Sequence, residues 1–511
     1  MNAYQHKIKT VQELAAIIGK RPREKSVIMC HGTFDIVHPG HLRHLIYAKE
    51  KAALLIASVT ADEHVAKASL RPYVPQELRA SNLSVFEMVD FVIVDKNPTP
   101  IENIHILQPD YFAKGYEYFA DGVPPKTQEE IDALESYGGE MLFTPGDVVY
   151  SSSSLIETHP PNIGLEKLLT LMDSEAVSFD DLRRTLRDLA SIKAHVVGDT
   201  IVDSYSYCSL LGATTKSPTF SVKHDRTDMF AGGAAIVAKH LRAAGARVSF
   251  STVLGEDELR GFVIDDLAAA GVECDPIIDH TRPTTHKERF ISEGYKLLQV
   301  DRVDNQPVGD RMISTLTERT RSSDADVVIF SDFRHGIFTR HSIATLKAGM
   351  PTGALKVADS QVSNRWGNIL DFTEFDLLTP NEREVRFALA DQDSVVRPLA
   401  LELFRRARCH ELLLKLGERG LLVYRTPGPM PREFFTLDSF VDNLVDPIGA
   451  GDALLAYASL ARAVSQNIVV ASILGSLSAA VACEHPGNSP VSPTSIERKI
   501  TQIEKLANFA S

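Results

Sequence analysis

Cysteine is sparse in this 511-residue sequence and never arranged for pairing. Its five cysteines, at positions 30, 208, 274, 409 and 483, are odd in number and scattered, with no C-x-x-C pair. That argues against a disulfide framework or a thiolate zinc site and fits reduced thiols in a cytoplasm. A surplus of positive charge is also missing, since 54 Lys and Arg stand against 67 Asp and Glu, for a net charge of −13. Broad binding to nucleic acid needs a basic surface, so no nucleic acid partner is expected. Nucleotide phosphates can still be held by local Lys, Arg and backbone N–H groups. A membrane-spanning run is lacking as well. The most apolar stretch, Ile468–Cys483, is broken by Ser472, Gly475, Ser476 and Ser478, and a span needs about 20 apolar residues. A buried helix is expected there, and no membrane partner. The opening MNAYQHKIKT holds no apolar signal core, so the expected location is cytoplasmic.

What is present is enough chain for two or three domains, with an ordinary 44% of hydrophobic residues. Ser26–Cys30, Leu54–Val59, Phe91–Val94, Tyr111–Ala113 and Met141–Phe143 read as short apolar strands, with an amphipathic helix over roughly Pro39–Lys51. Strands alternating with helices imply a Rossmann-like parallel sheet, placed over residues 24–157. Pro160 and Pro161 cannot sit inside a helix or a central strand, so residues 158–177 read as a linker. A second α/β series follows over 178–511, with strands at His195–Val197, Val248–Thr252, Val327–Phe330, Lys356–Ala358, Asp376–Leu378 and Leu412–Leu416. Arg289–Asp301 reads as a hairpin around Glu293-Gly294, a small β lid outside the main sheet. The fold class is therefore α/β, with two parallel-sheet domains.

Two phosphate-handling signatures stand about 400 residues apart. In the first, the Ser26–Cys30 strand runs into His31-Gly32-Thr33-Phe34-Asp35-Ile36-Val37-His38-Pro39-Gly40-His41. A helix N-terminus after a glycine turn offers free N–H groups and a partial positive charge to a nucleotide phosphate. His38 and His41, three residues apart, can point at one phosphate and stabilise charge as pyrophosphate leaves. The string resembles the GxFDxxHxGH motif of the cytidylyltransferase-like nucleotidyltransferases. That resemblance implies nucleotide contacts from Gly32, Thr33, Phe34 and His41. Lys67, Arg71-Pro72 and Arg79 look like the family's basic phosphate-binding stretch. Pro109-Asp110 with Lys114-Gly115 is similar to its PDxxxKG segment, which makes Lys67 and Lys114 catalytic candidates. Ser151, Ser152 and Ser153 sit where the family's hydroxyls bind triphosphate. Asp35 reads as either structural or an aid to Mg²⁺.

The second signature is Asp446-Pro447-Ile448-Gly449-Ala450-Gly451-Asp452 at the head of an apolar helix. Glycines there let backbone N–H groups close on a phosphate, and Asp452 can take the proton of a hydroxyl attacking ATP. With its partners it resembles the ribokinase-like (pfkB) carbohydrate kinases, from about residue 194 to 492. The resemblance implies sugar contacts from Asp199, Asp203, Gly232 and Gly233, and nucleotide contacts from Gly417, Gly420, Gly449, Ala450 and Gly451. It implies Mg²⁺ held through water by Asn381 and Glu384 of Thr379-Pro380-Asn381-Glu382-Arg383-Glu384. Four departures are visible. Ile236 replaces an Asn, suggesting an acceptor deoxygenated or reoriented at the hydroxyl facing it. Pro447-Ile448 replace a Thr pair, His335 replaces the Lys of SDYxKG, and Asp359-Ser360-Gln361 replaces DPK.

Together the modules resemble the bifunctional heptose kinase/nucleotidyltransferases, in the reverse of the usual order. The resemblance implies a Mg²⁺-dependent enzyme that phosphorylates a sugar with ATP and transfers CMP or AMP from CTP or ATP to a sugar phosphate. It also implies a homodimer or higher homo-oligomer. Two alternatives remain at this point: a nucleotidyltransferase with a degenerate kinase-like domain that only binds a ligand, and a glycerol- or alditol-phosphate cytidylyltransferase.

Overall fold

The computed structural model describes residues 2–65, 72–115, 124–144, 164–213, 220–361, 369–427, 433–485, 487 and 489–510. The chain divides into two compact units, Met1–Thr170 and Leu171–Ser511.

The first unit is built on β1 (Val27–Gly32), β2 (Leu54–Thr60), β3 (Phe91–Asp95), β4 (Tyr111–Gly115) and β5 (Glu140–Thr144). They form one parallel sheet in the order β3-β2-β1-β4-β5. Strand side chains alternate between faces, and both faces are buried. Ile28, Cys30, Leu55, Ala57 and Val92 pack against Leu45 and Ala48 of helix Pro39–Lys51 and Ala80 and Leu83 of helix Gln76–Ser84. Their neighbours Val27, Met29, Ile56, Ile93 and Phe112 pack the other way, against Ile104, Leu107, Ala133 and Leu134. That second face is completed by Leu14 and Ile18 of helix Val11–Ile18. Thr10 and Glu13 close a capping box at its start, at 2.8 and 3.2 Å. The unit thus begins ahead of residue 24. Helix Gly164–Ser174 occupies much of the expected linker, and the division between units falls inside it.

The second unit contains β6 (Lys193–Gly198), β7 (Thr200–Ala213), β8 (Phe220–Gly233), β9 (Arg247–Ser251), β10 (Val253–Gly255), β11 (Glu273–Cys274), β12 (Ile277–Asp279), β13 (His286–Ser292) and β14 (Tyr295–Arg302). After these come β15 (Val327–Asp332), β16 (Leu355–Ser360), β17 (Leu377–Leu378), β18 (Glu411–Lys415), β19 (Leu421–Arg425) and β20 (Phe434–Leu437). The main sheet runs β11-β9-β6-β15-β16-β17-β18-β19-β20, parallel up to β18 and antiparallel through β19 and β20. The lid is larger than the expected hairpin. The long β7 and β8 join β13 and β14 in a four-stranded sheet, β14-β13-β7-β8. The Ile468–Cys483 stretch is a helix buried along almost its whole length, and no described helix is long and apolar enough to cross a membrane.

Candidate active sites

In the first sheet the chain order reverses between β1 and β4, and ligands of open α/β sheets bind at the carboxyl ends of the strands beside such a point. β1 delivers His31 and Gly32 there. The chain then turns through the buried Phe34, at a φ of +48°. His38 caps helix Pro39–Lys51, its Nδ1 accepting the Gly40 N–H at 3.1 Å. In the neutral ring this leaves Nε2 carrying the proton, a donor for a phosphate oxygen. Partial burial, with Arg43 adding to it, holds this imidazole below its usual range. A Cβ at Gly40 would fall 2.9 Å from the His38 ring, so a side chain there would push the imidazole out of its capping position. The His38 and His41 rings lie 4.0 Å apart between centroids, and Phe34 backs His41 at 5.2 Å.

Two acidic and basic candidates brace this loop. Asp35 accepts the backbone N–H groups of Tyr73 at 3.0 Å and Val74 at 2.7 Å, which favours the structural alternative. Arg79 has no exposed surface. Its guanidinium donates to the carbonyls of Val74 at 2.9 Å and Thr33 at 2.5 Å and pairs with Asp62. Its expected nucleotide contact is replaced by a positioning role under Thr33. Lys114 ends β4 and pairs with Glu130 of helix Pro125–Glu135. At the start of the motif, His31 bonds Ser58 at 2.9 Å and Thr60 at 3.2 Å, and burial, with Lys114 adding to it, lowers its pKa to about 4. Lys67, Ser151, Ser152 and Ser153 lie outside the described residues.

The second site gathers at the carboxyl ends of β6, β15, β16 and β18. Gly449, at a φ of +82°, precedes helix Ala450–Ser465, and no side chain caps the helix start. Ala450 and Gly451 open that first turn, with Asp452 buried just inside it. Burial raises the Asp452 pKa to about 7, with Asp359 and Asp203 adding and Lys415 opposing. Asp203 comes from the lid, where Arg289 of β13 donates to it at 2.6 Å. Gly232 lies so close that its Cβ would fall 2.4 Å from the Asp203 carboxylate. Gly233, at a φ of +63°, turns the chain from the lid into helix Ala234–Ala243.

Other candidates serve the backbone. Asp199 accepts the N–H groups of Phe333 at 3.0 Å and His335 at 3.2 Å, so it braces the loop after β15 rather than offering that oxygen to a sugar. Burial, with Asp332 adding to it, raises its pKa. Asn381 and Glu384 form a capping box, Glu384 accepting from the Asn381 side chain and backbone at 2.6 Å each. Glu384 is buried beside Lys415 and Asp359, and burial raises its pKa. Gly417 and Gly420 turn β18 into β19, both at positive φ, and a Cβ on Gly420 would fall 2.0 Å from the Leu437 carbonyl. Ile236 is fully buried in its helix. It belongs to the core, and the acceptor preference expected from it loses its basis.

Sequence reasoning missed Lys415 and Arg289. Lys415 ends an otherwise apolar strand, ELLLK, and bonds Asp359 at 2.9 Å. A lone cation closing such a run just before Leu416-Gly417 was the available signal.

Known proteins resemble each half. A family profile described as pfkB family carbohydrate kinase matches residues 191–495, and one described as cytidylyltransferase-like matches residues 29–158. The Bifunctional protein HldE of Bradyrhizobium diazoefficiens is 28% identical over 345 residues, 66% of this chain and 68% of that protein. Its namesake in Pelobacter propionicus is 28% identical over 310 residues, 59% of this chain and 62% of that protein. The chain thus spans about two thirds of the length of such relatives. Phosphofructokinase-2 from Escherichia coli, solved with potassium, shares the fold at a TM-score of 0.51 and 14% identity, over 61% of this chain and 99% of its own.

Proposed function

Because this chain belongs to the pfkB family of carbohydrate kinases, with a cytidylyltransferase-like domain ahead of the kinase, we propose that it makes a nucleotide-activated heptose-type sugar from the free or phosphorylated sugar. Kinase and nucleotidyltransferase are its two activities. The observation that carries the proposal is the position of Asp452, buried in the first turn of helix Ala450–Ser465 directly after the Gly449–Gly451 turn and within electrostatic reach of Asp203.

In the kinase site Asp203, held by Arg289, faces the acceptor and Asp452 receives the hydroxyl proton. The amides opening helix Ala450–Ser465 hold the phosphoryl oxygens. Among the described residues, no three His, Cys, Asp or Glu side chains cluster as a ligand set. That suits Mg²⁺, which keeps several waters and leans on one or two carboxylates and the phosphates. Glu384, with Asn381, is the group to hold it through water, and the ion would neutralise phosphate charge. In the first site a sugar phosphate oxygen attacks the α-phosphorus of ATP or CTP. His38 and His41 stabilise the departing pyrophosphate, with Lys114 on the neighbouring strand β4.

A homodimer or higher homo-oligomer in the cytoplasm is part of the proposal. On the lid face opposite Arg289 and Tyr205, Met229, Leu298 and Val300 are 41%, 58% and 38% exposed, an apolar surface suited to a second copy. A one-pot assay with free sugar, ATP, CTP and Mg²⁺ tests the shared pathway. A nucleotide sugar formed without added phosphatase supports phosphorylation at the anomeric hydroxyl. Accumulation of a bisphosphate supports a phosphorylated acceptor with a phosphatase acting between the steps. If the first site never accepts the kinase product, even after phosphatase treatment, the shared pathway is wrong.

A further inference from the structure

We propose that Lys415 is a catalytic group of the kinase site, its ammonium passing from Asp359 to the phosphoryl group in transfer beside the Gly449–Gly451 turn. This rests on the kinase reading of the second unit.

Lys415 closes β18, whose other residues are buried, and its own side chain is 15% exposed. Its Nζ lies 2.9 Å from Asp359 and 3.4 Å from where a Gly451 Cβ would stand. The ammonium is therefore packed against the turn whose amides hold phosphate. Among the described residues no other cation pairs with Asp359, Glu384 or Asp452. Glu384 and Asp452 also act electrostatically on this one ammonium, and an incoming triphosphate adds further negative charge beside it. Thr379 also donates to Asp359, at 2.9 Å, so this carboxylate keeps a partner when the ammonium leaves. Position 361, where a D-P-K pattern would put a lysine, holds Gln361. Lys415 supplies from β18 the charge that is missing there.

In the step itself, the acceptor oxygen bonds to the γ-phosphorus of the nucleoside triphosphate and its proton passes to Asp452. The bond to the β–γ bridging oxygen breaks, and its electron pair leaves on the diphosphate. An ammonium beside the phosphoryl group stabilises that arrangement more than the ground state, which is the condition for raising the rate. Lysine serves phosphate as a mobile point charge with three donors.

The test compares binding of ADP with Mg²⁺ and tetrafluoroaluminate, a mimic of the phosphoryl group in transfer, with binding of ADP and Mg²⁺ alone. The wild-type chain should bind the mimic more tightly. Lys415→Met should lose about 10²–10³-fold of that gain while its ADP affinity stays within about threefold, and Lys415→Arg should keep part of it. The double variant D359N/K415M removes cation and partner together, so it carries the test if the buried Asp359 left by Lys415→Met impairs folding. It should be as defective as Lys415→Met. Recovery of the gain in the double variant would make Lys415 a counter-ion of Asp359 only and overturn the proposal. An undiminished gain in Lys415→Met would overturn it too. A wild type with no gain at all would instead bring down the kinase reading, and the proposal with it.

Discussion

The rings of His38 and His41 stack 4.0 Å apart between centroids, tilted by 31°, on the first turn of helix Pro39–Lys51. Two imidazoles in that relation can share one departing pyrophosphate. His38→Ala and His41→Ala should each slow pyrophosphate release by about 10²–10³-fold, with little change in the melting temperature for His41→Ala and a loss of about 0.5–2 kcal/mol for His38→Ala, whose ring also caps the helix. A matching loss of stability in both variants would make the pair structural.

Asp452→Asn should lower sugar phosphorylation by about 10²–10⁴-fold and leave nucleotidyl transfer at its wild-type rate. Both activities can be read from one preparation, ADP for the kinase and pyrophosphate for the transferase. Wild-type ADP production in this variant would remove Asp452 from the mechanism.

The kinase should also show an acid limb. Burial lifts the Asp452 carboxyl to about 7, and only the carboxylate accepts a proton. The kcat/KM for phosphorylation should therefore fall about tenfold per pH unit below pH 7 and level off above it. A kinase profile flat from pH 5 to 8 would contradict the assignment of the base.

Glu175 accepts both arms of the Arg425 guanidinium, at 3.0 and 2.8 Å, in a buried pair. Glu175→Ala removes both of these charged hydrogen bonds from a buried guanidinium and should destabilise the second unit by about 1.5–3 kcal/mol. Denaturant unfolding of the full chain gives the value, and a loss below about 1 kcal/mol would mean that water reaches the site.

The parallel strands were legible because burial on both faces leaves near-continuous apolar runs such as VIMC in β1 and FVIV in β3. β7 and β8 were not. Most of β8 is exposed or half-exposed, and VKHDRTDM shows neither an apolar run nor a clean alternation. Helix Val11–Ile18 escaped because a short helix ahead of the first strand carries no topological signal. At the sites, glycines and histidines were found by their spacing. The roles of Arg79 and Asp199 were not legible, because a charged residue near a motif has the same sequence signature whether it holds a ligand or a backbone loop. Only burial and partners separate the two.

Gly420 and Asp452 differ in what would happen to them if the kinase were released from selection. A Cβ at Gly420 collides with the Leu437 carbonyl, so the turn must stay glycine for the fold to close, active or not. Asp359, Glu384, Lys415 and Asp452 are under the opposite pressure. Clustered charges in a protein interior are often neutral or stabilising to replace with apolar groups of similar size. A module kept only to sense a ligand would drift toward such replacements while keeping its glycines. The surviving charges are thus the better genetic marker of a living kinase, and a relative that keeps Gly420 but has lost them would be the place to look for a retired one.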